Sequence, residues 1–86
     1  MWTIEMSKTA RKDARRLKNI NRSGTVDNLL AILESNPFQN PPPYEKLEPP
    51  VSNTYARRIN IQHRLFYKIN KEEKIVKILR MWTHYE

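Results

Sequence analysis

Leu65-Phe66-Tyr67-Lys68-Ile69, Asn70-Lys71-Glu72-Glu73-Lys74 and Ile75-Val76-Lys77-Ile78-Leu79 run consecutively, and their reading decides the fold. Leu65, Tyr67 and Ile69 alternate with Phe66 opposite, the period of a strand with one face on a core. Asn70 to Lys74 is a polar turn. Ile75 to Trp82 reads as the returning strand, and its apolar residues on both faces suit a central position in a sheet. Before this hairpin the β pattern begins at Tyr55, with Ile59 and Ile61 expected to point the same way.

Further outward lies a stiff connection holding all six prolines, between Pro37 and Pro50, with polyproline II character expected around residues 41 to 43. Tyr44-Glu45-Lys46-Leu47 interrupts it as a brief strand. Upstream, Val26, Leu29, Leu30, Ile32 and Leu33 give a helix from about Thr25 that stops at Asn36-Pro37, because a residue before proline leaves helical geometry. Ala10, Ala14 and Leu17 form the narrow apolar stripe of an earlier helix, capped by Ser7 or Thr9. Asn21-Arg22-Ser23-Gly24, with the only glycine of the chain, is expected to be the turn between the helices. Trp2 to Met6 alternates as a first strand. Two short helices cannot bury their own faces and need a sheet. The order β, α, α, then three or four antiparallel strands gives an α+β fold, two N-terminal helices on a twisted antiparallel sheet of about four to five strands.

Eighty-six residues suit one domain, 1–86, near the lower size limit for a core without staples. With no cysteine, disulfides and thiolate–metal sites are excluded, and a reducing compartment fits. The N-terminus lacks the basic start and apolar core of a secretion signal, and no apolar run approaches the roughly 18 residues of a membrane span. A cytoplasmic protein without membrane contact is expected. The formal charge of +7 divides into +3 up to Asn36 and +4 beyond it. A folded surface with that field attracts polyanions.

The chemistry-bearing residues lie mostly in the last thirty. Arg57, Arg58, Arg64 and Arg80 are candidates for phosphate recognition, since a guanidinium can hold two phosphate oxygens. Arg64 interrupts an apolar strand, so it must reach solvent or line a site. His84, beside Tyr85, and His63 are the only imidazoles, and an unperturbed imidazole titrates near neutrality. Glu45 is an isolated acid among prolines. No HExxH, Asp-x-Asp or Cys/His cluster is present, so neither metal nor cofactor is expected. Cations beside a lone imidazole are what metal-independent RNA cleavage asks for: a base for the 2′-hydroxyl, cations for the phosphorane and an acid for the 5′-oxygen.

Arg57-Arg58-Ile59-Asn60, His63-Arg64-Leu65-Phe66-Tyr67 and Trp82-Thr83-His84-Tyr85, preceded by Tyr44-Glu45-Lys46-Leu47, resemble the Txe/YoeB family of bacterial type II toxin–antitoxin systems, within the RelE-like superfamily. The likeness is close over about residues 44 to 85 and rests on element order before that. It implies the RelE-like, microbial RNase fold. It also implies an mRNA endoribonuclease that cuts translated messages on the ribosome and so inhibits translation. The family's general base falls on Glu45, its transition-state arginine on Arg64, its general acid on His84 and its substrate-orienting aromatic on Tyr85. Arg58 matches a second arginine touching phosphate or ribosomal RNA. The implied partners are the ribosome, mRNA and a cognate antitoxin, acidic and with a segment that folds on binding; DNA is reached only through the antitoxin. The chain departs from the pattern in a longer hairpin after Arg64, in Met81-Trp82-Thr83 before the histidine, in Ala56 where serine is common, and in the added Glu86. Two other readings compete: a ParE-like gyrase inhibitor of the same fold, and a non-catalytic RNA- or ribosome-binding module.

Overall fold

The computed structural model describes residues 1–47 and 53–82. Strand β1 (Thr3–Met6) passes directly into helix α1 (Lys8–Asn19) at Ser7, whose hydroxyl accepts from the Ala10 amide at 3.0 Å. This satisfies one of the orphan donors of the first turn. Helix α2 (Ser23–Ser35) follows after Ile20-Asn21-Arg22, and Asn21 takes the left-handed conformation with φ 61°. The expected turn over residues 21–24 is therefore shifted: Gly24 lies inside the first turn of α2. Asparagine tolerates positive φ, so the reversal does not need the glycine.

Strands β2 (Tyr44–Lys46), β3 (Thr54–Arg58), β4 (Arg64–Asn70) and β5 (Ile75–Arg80) form an antiparallel meander. The five-stranded sheet has the order β1-β5-β4-β3-β2, with β1 beside β5 and parallel to it. The sheet is thus mixed, where sequence reading expected it wholly antiparallel. The cause is topological. The chain leaves β1 at one edge, crosses one face as two helices and enters β2 at the far edge running opposite to β1. Three reversals then bring β5 back alongside β1 in the same direction.

The core lies between the helices and one face of this sheet. Ala10, Leu17, Val26, Leu29 and Leu33 meet Tyr55, Leu65, Tyr67, Ile69, Val76 and Ile78, all buried. Strand alternation puts Glu45, Ala56, Arg58, Arg64, Phe66, Lys68 and Lys77 on the other face, open except at Ala56 and Phe66, which are buried. Pairing of Tyr67 with Ile78 but Phe66 with Arg80 leaves Leu79 as an extra residue on β5. This bulge is held by Ser7, whose hydroxyl donates to the Leu79 carbonyl at 2.9 Å. Ile59 is buried, but Ile61 is 94% exposed, so the expected shared direction fails: β3 ends at Arg58 and the intervening residues form a loop. Among the described residues no helix is long and apolar enough to cross a membrane.

Candidate active site on the open face

Glu45 stands at the centre of β2, opposite Ala56 of β3, and Arg58 of β3 stands opposite Arg64 of β4. Three adjoining strands therefore bring one carboxylate and two guanidiniums to the same end of the open face. Arg64 Nη1 lies 3.7 Å from Glu45 Oε2, with the two side chains 46% and 68% exposed. That separation exceeds the 2.7–2.9 Å or so of a charge-assisted hydrogen bond, and an exposed pair of this kind contributes at most about 1 kcal/mol. It is a loose contact that an arriving anion can part. Arg58 and Arg64 are like charges directly opposed across two strands, an unfavourable arrangement in isolation. A phosphate between them would relieve it.

The three side chains line a shallow depression of about 200 Å³ together with Pro43, Tyr44, Ala56 and Arg57, although the Arg57 guanidinium itself is engaged in the interior. A larger one, about 720 Å³, lies at the far end of β4 near the β4–β5 turn. There Lys68, Lys71 and Lys77 are matched by Glu5, Glu72 and Glu73, so it lacks the cation excess that a polyanion would seek.

Two arginines assigned to RNA contact from sequence are placed elsewhere. Arg57 is 1% exposed, and its guanidinium faces the interior, donating to the Tyr67 hydroxyl and to the carbonyls of Pro37, Gln39 and Pro42. Neighbours on a strand point to opposite faces, so Arg57 and Arg58 cannot share one. The large apolar side chains at Tyr55 and Ile59, flanking Arg57 at i−2 and i+2, were the signal in the sequence that odd positions face inward. Arg80 turns toward α1, where its Nε lies 3.3 Å from Asp13 Oδ2. His63 is buried too, stacked on Trp82 with ring centroids 4.0 Å apart, and Arg16 covers the Trp82 ring at 3.8 Å. His84 and Tyr85 lie outside the described residues.

Sequence reasoning missed Asp13, which is buried and accepts from the Met81 amide at 3.1 Å as well as from Arg80. Its signal was available: Asp13 is i+3 from Ala10 and i−4 from Leu17, on the same apolar stripe. Asp13 fixes the end of β5, and the Arg64 amide donates to the Trp82 carbonyl at 3.0 Å. The last described residue is thus bonded to the strand that carries Arg64.

The sequence matches the family described as YoeB-like toxin of bacterial type II toxin-antitoxin system over residues 2–85. Among solved structures, a YoeB/ParE toxin from Agrobacterium tumefaciens is similar with a TM-score of 0.85 at 16% identity, covering 96% of this chain and 99% of that one. The YoeB-YefM complex from Staphylococcus aureus gives 0.77 at 27% identity, with 99% of both chains covered. The E. coli DinJ-YafQ toxin-antitoxin complex gives 0.82 at 20% identity, covering 96% and 92%. No curated protein sequence matches the chain.

Proposed function

The chain belongs to the family of YoeB-like toxins of bacterial type II toxin–antitoxin systems, and from that premise we propose that it is a metal-independent endoribonuclease that cuts mRNA on the ribosome and thereby inhibits translation. One observation carries the reading: a carboxylate and two arginines, Glu45, Arg58 and Arg64, converge on one exposed depression of a basic protein.

In the proposed reaction Glu45 takes the proton from the 2′-hydroxyl, whose oxygen attacks the adjacent phosphorus. Arg64, with Arg58 beside it, stabilises the negative charge that builds on the phosphorane oxygens. The bond from phosphorus to the 5′-oxygen breaks, and His84 protonates the departing oxygen while Tyr85 orients the substrate. The products are a 2′,3′-cyclic phosphate and a 5′-hydroxyl, so only RNA is a substrate. The nucleophile belongs to the substrate, and positioning supplies much of the rate. The setting is the cytoplasm. The partner is a cognate antitoxin, in keeping with the YoeB-YefM complex; the basic charge of this chain calls for an acidic antitoxin segment that folds on binding, and DNA would be reached only through it.

The test is to map message ends by primer extension in a cell-free translation reaction. Wild type is expected to give cuts within translated codons, and Glu45→Gln and Arg64→Ala each to lower the cutting rate by 10²-fold or about that. Full cutting by both variants would refute the assignment. Stalled translation with intact message would favour a non-catalytic ribosome-binding module.

A further inference from the structure

Arg57 is the bulkiest of the fully buried side chains, and among the described residues no carboxylate pairs with it. A buried cation without a counter-ion is costly unless dipoles surround it. Here they do. Nε donates to the Tyr67 hydroxyl at 3.1 Å, Nη2 to the carbonyls of Pro37 at 3.0 Å and Gln39 at 2.8 Å, and Nη1 to the carbonyl of Pro42. The guanidinium also sits 4.9 Å from the centre of the Tyr44 ring.

The three carbonyls lie in the segment that joins α2 to β2. Their convergence on one guanidinium curls the segment, where a polyproline rod would have kept them apart. That segment delivers Glu45, three residues after Pro42. Strand β2 is only three residues long and lies at the sheet edge, so its own ladder is a weak hold. Strand β3 therefore grips it twice: Ala56 pairs with Glu45 on the ladder, and Arg57, the next residue, anchors the approach from beneath.

We propose that Arg57 is a positioning residue that sets Glu45 against Arg64 by holding the 37–42 segment in place; this rests on Glu45 being the general base. Lysine keeps the charge but has one nitrogen where arginine has three, so it cannot serve three carbonyls and a phenol together. The test compares single-turnover cleavage on programmed ribosomes for wild type, Arg57→Lys, Glu45→Gln and the double variant, with folding checked by circular dichroism.

Misplacing Glu45 by about an ångström lowers the Arg57→Lys rate by roughly 10- to 100-fold, with the half-saturating ribosome concentration little changed. In the Glu45→Gln background the same substitution has no further effect. An equal fall in both backgrounds, or no fall in a folded Arg57→Lys, overturns the proposal while leaving Glu45 as the base. A wild-type rate for Glu45→Gln overturns the base assignment itself, and the positioning role with it. Should Arg57→Lys fail to fold, Tyr67→Phe removes a single acceptor and carries the same comparison: a smaller loss, absent without the Glu45 carboxylate, is expected.

Discussion

Tyr67 lies wholly inside, stacked on Tyr55 with ring centroids 5.8 Å apart and accepting from Arg57. Burial pushes its phenol from the ordinary value of 10.0 up to about 12, with the Arg57 cation opposing the shift. The fold thus favours the protonated phenol. Its contribution to stability is complete below pH 10 and is lost as pH rises from about 10 to about 12. A denaturation midpoint followed across that window should fall for wild type and fall less steeply for Tyr67→Phe. An identical slope in the two proteins would contradict the account. Asp13 makes a second prediction at this scale. It accepts from Met81 and Arg80 inside the protein, so Asp13→Ala should cost about 3 kcal/mol of unfolding free energy, measured in urea. The sequence placed Asp13 on the apolar stripe of α1 but did not show its partner, since residue 81 is distant along the chain and only the folded sheet brings it close.

At the scale of elements, helix α2 begins without a side-chain cap and carries Gly24 in its first turn. A Cβ built on Gly24 meets nothing within 4 Å, so Gly24→Ala should stabilise the protein by roughly 0.5–1 kcal/mol through the unfolded chain's lost freedom. A chemical-denaturation midpoint checks it, and a lower midpoint would mean the residue has a role beyond the helix. The elements themselves were largely legible. The period-2 alternation from Leu65 to Ile69 and the apolar stripes of α1 and α2 fall where the sequence put them, because burial on one face writes that pattern directly. Three features were not legible. The turn moved off the glycine because Asn21 could adopt its geometry; Ile61 left the strand pattern because β3 had already ended; and the bulge at Leu79 depends on a hydroxyl from residue 7. Each is decided by tertiary contacts or by a competing local conformation.

For the molecule as a whole, the connection that brings β1 beside β5 also leaves one sheet face uncovered by helices, and the proposed catalytic set stands there. Glu45, Arg58 and Arg64 were put forward because their spacing resembles a family pattern; the inward course of Arg57 and the turn of Arg80 toward α1 were not legible, because charge alone does not reveal which face a strand residue takes. Arg58→Ala should weaken binding to ribosomes about equally for all codons and lower the slope of log affinity against log salt by about one. An unchanged slope would take Arg58 out of phosphate contact. The most direct test of the central claim is the chemistry of the ends left on a message cut during translation. Attack by the 2′-hydroxyl predicts a 5′-hydroxyl on one fragment and a 2′,3′-cyclic phosphate on the other, with both absent for a folded His84→Gln. Fragments carrying 5′-phosphate and 3′-hydroxyl ends, or a message left whole by the wild type, would contradict it.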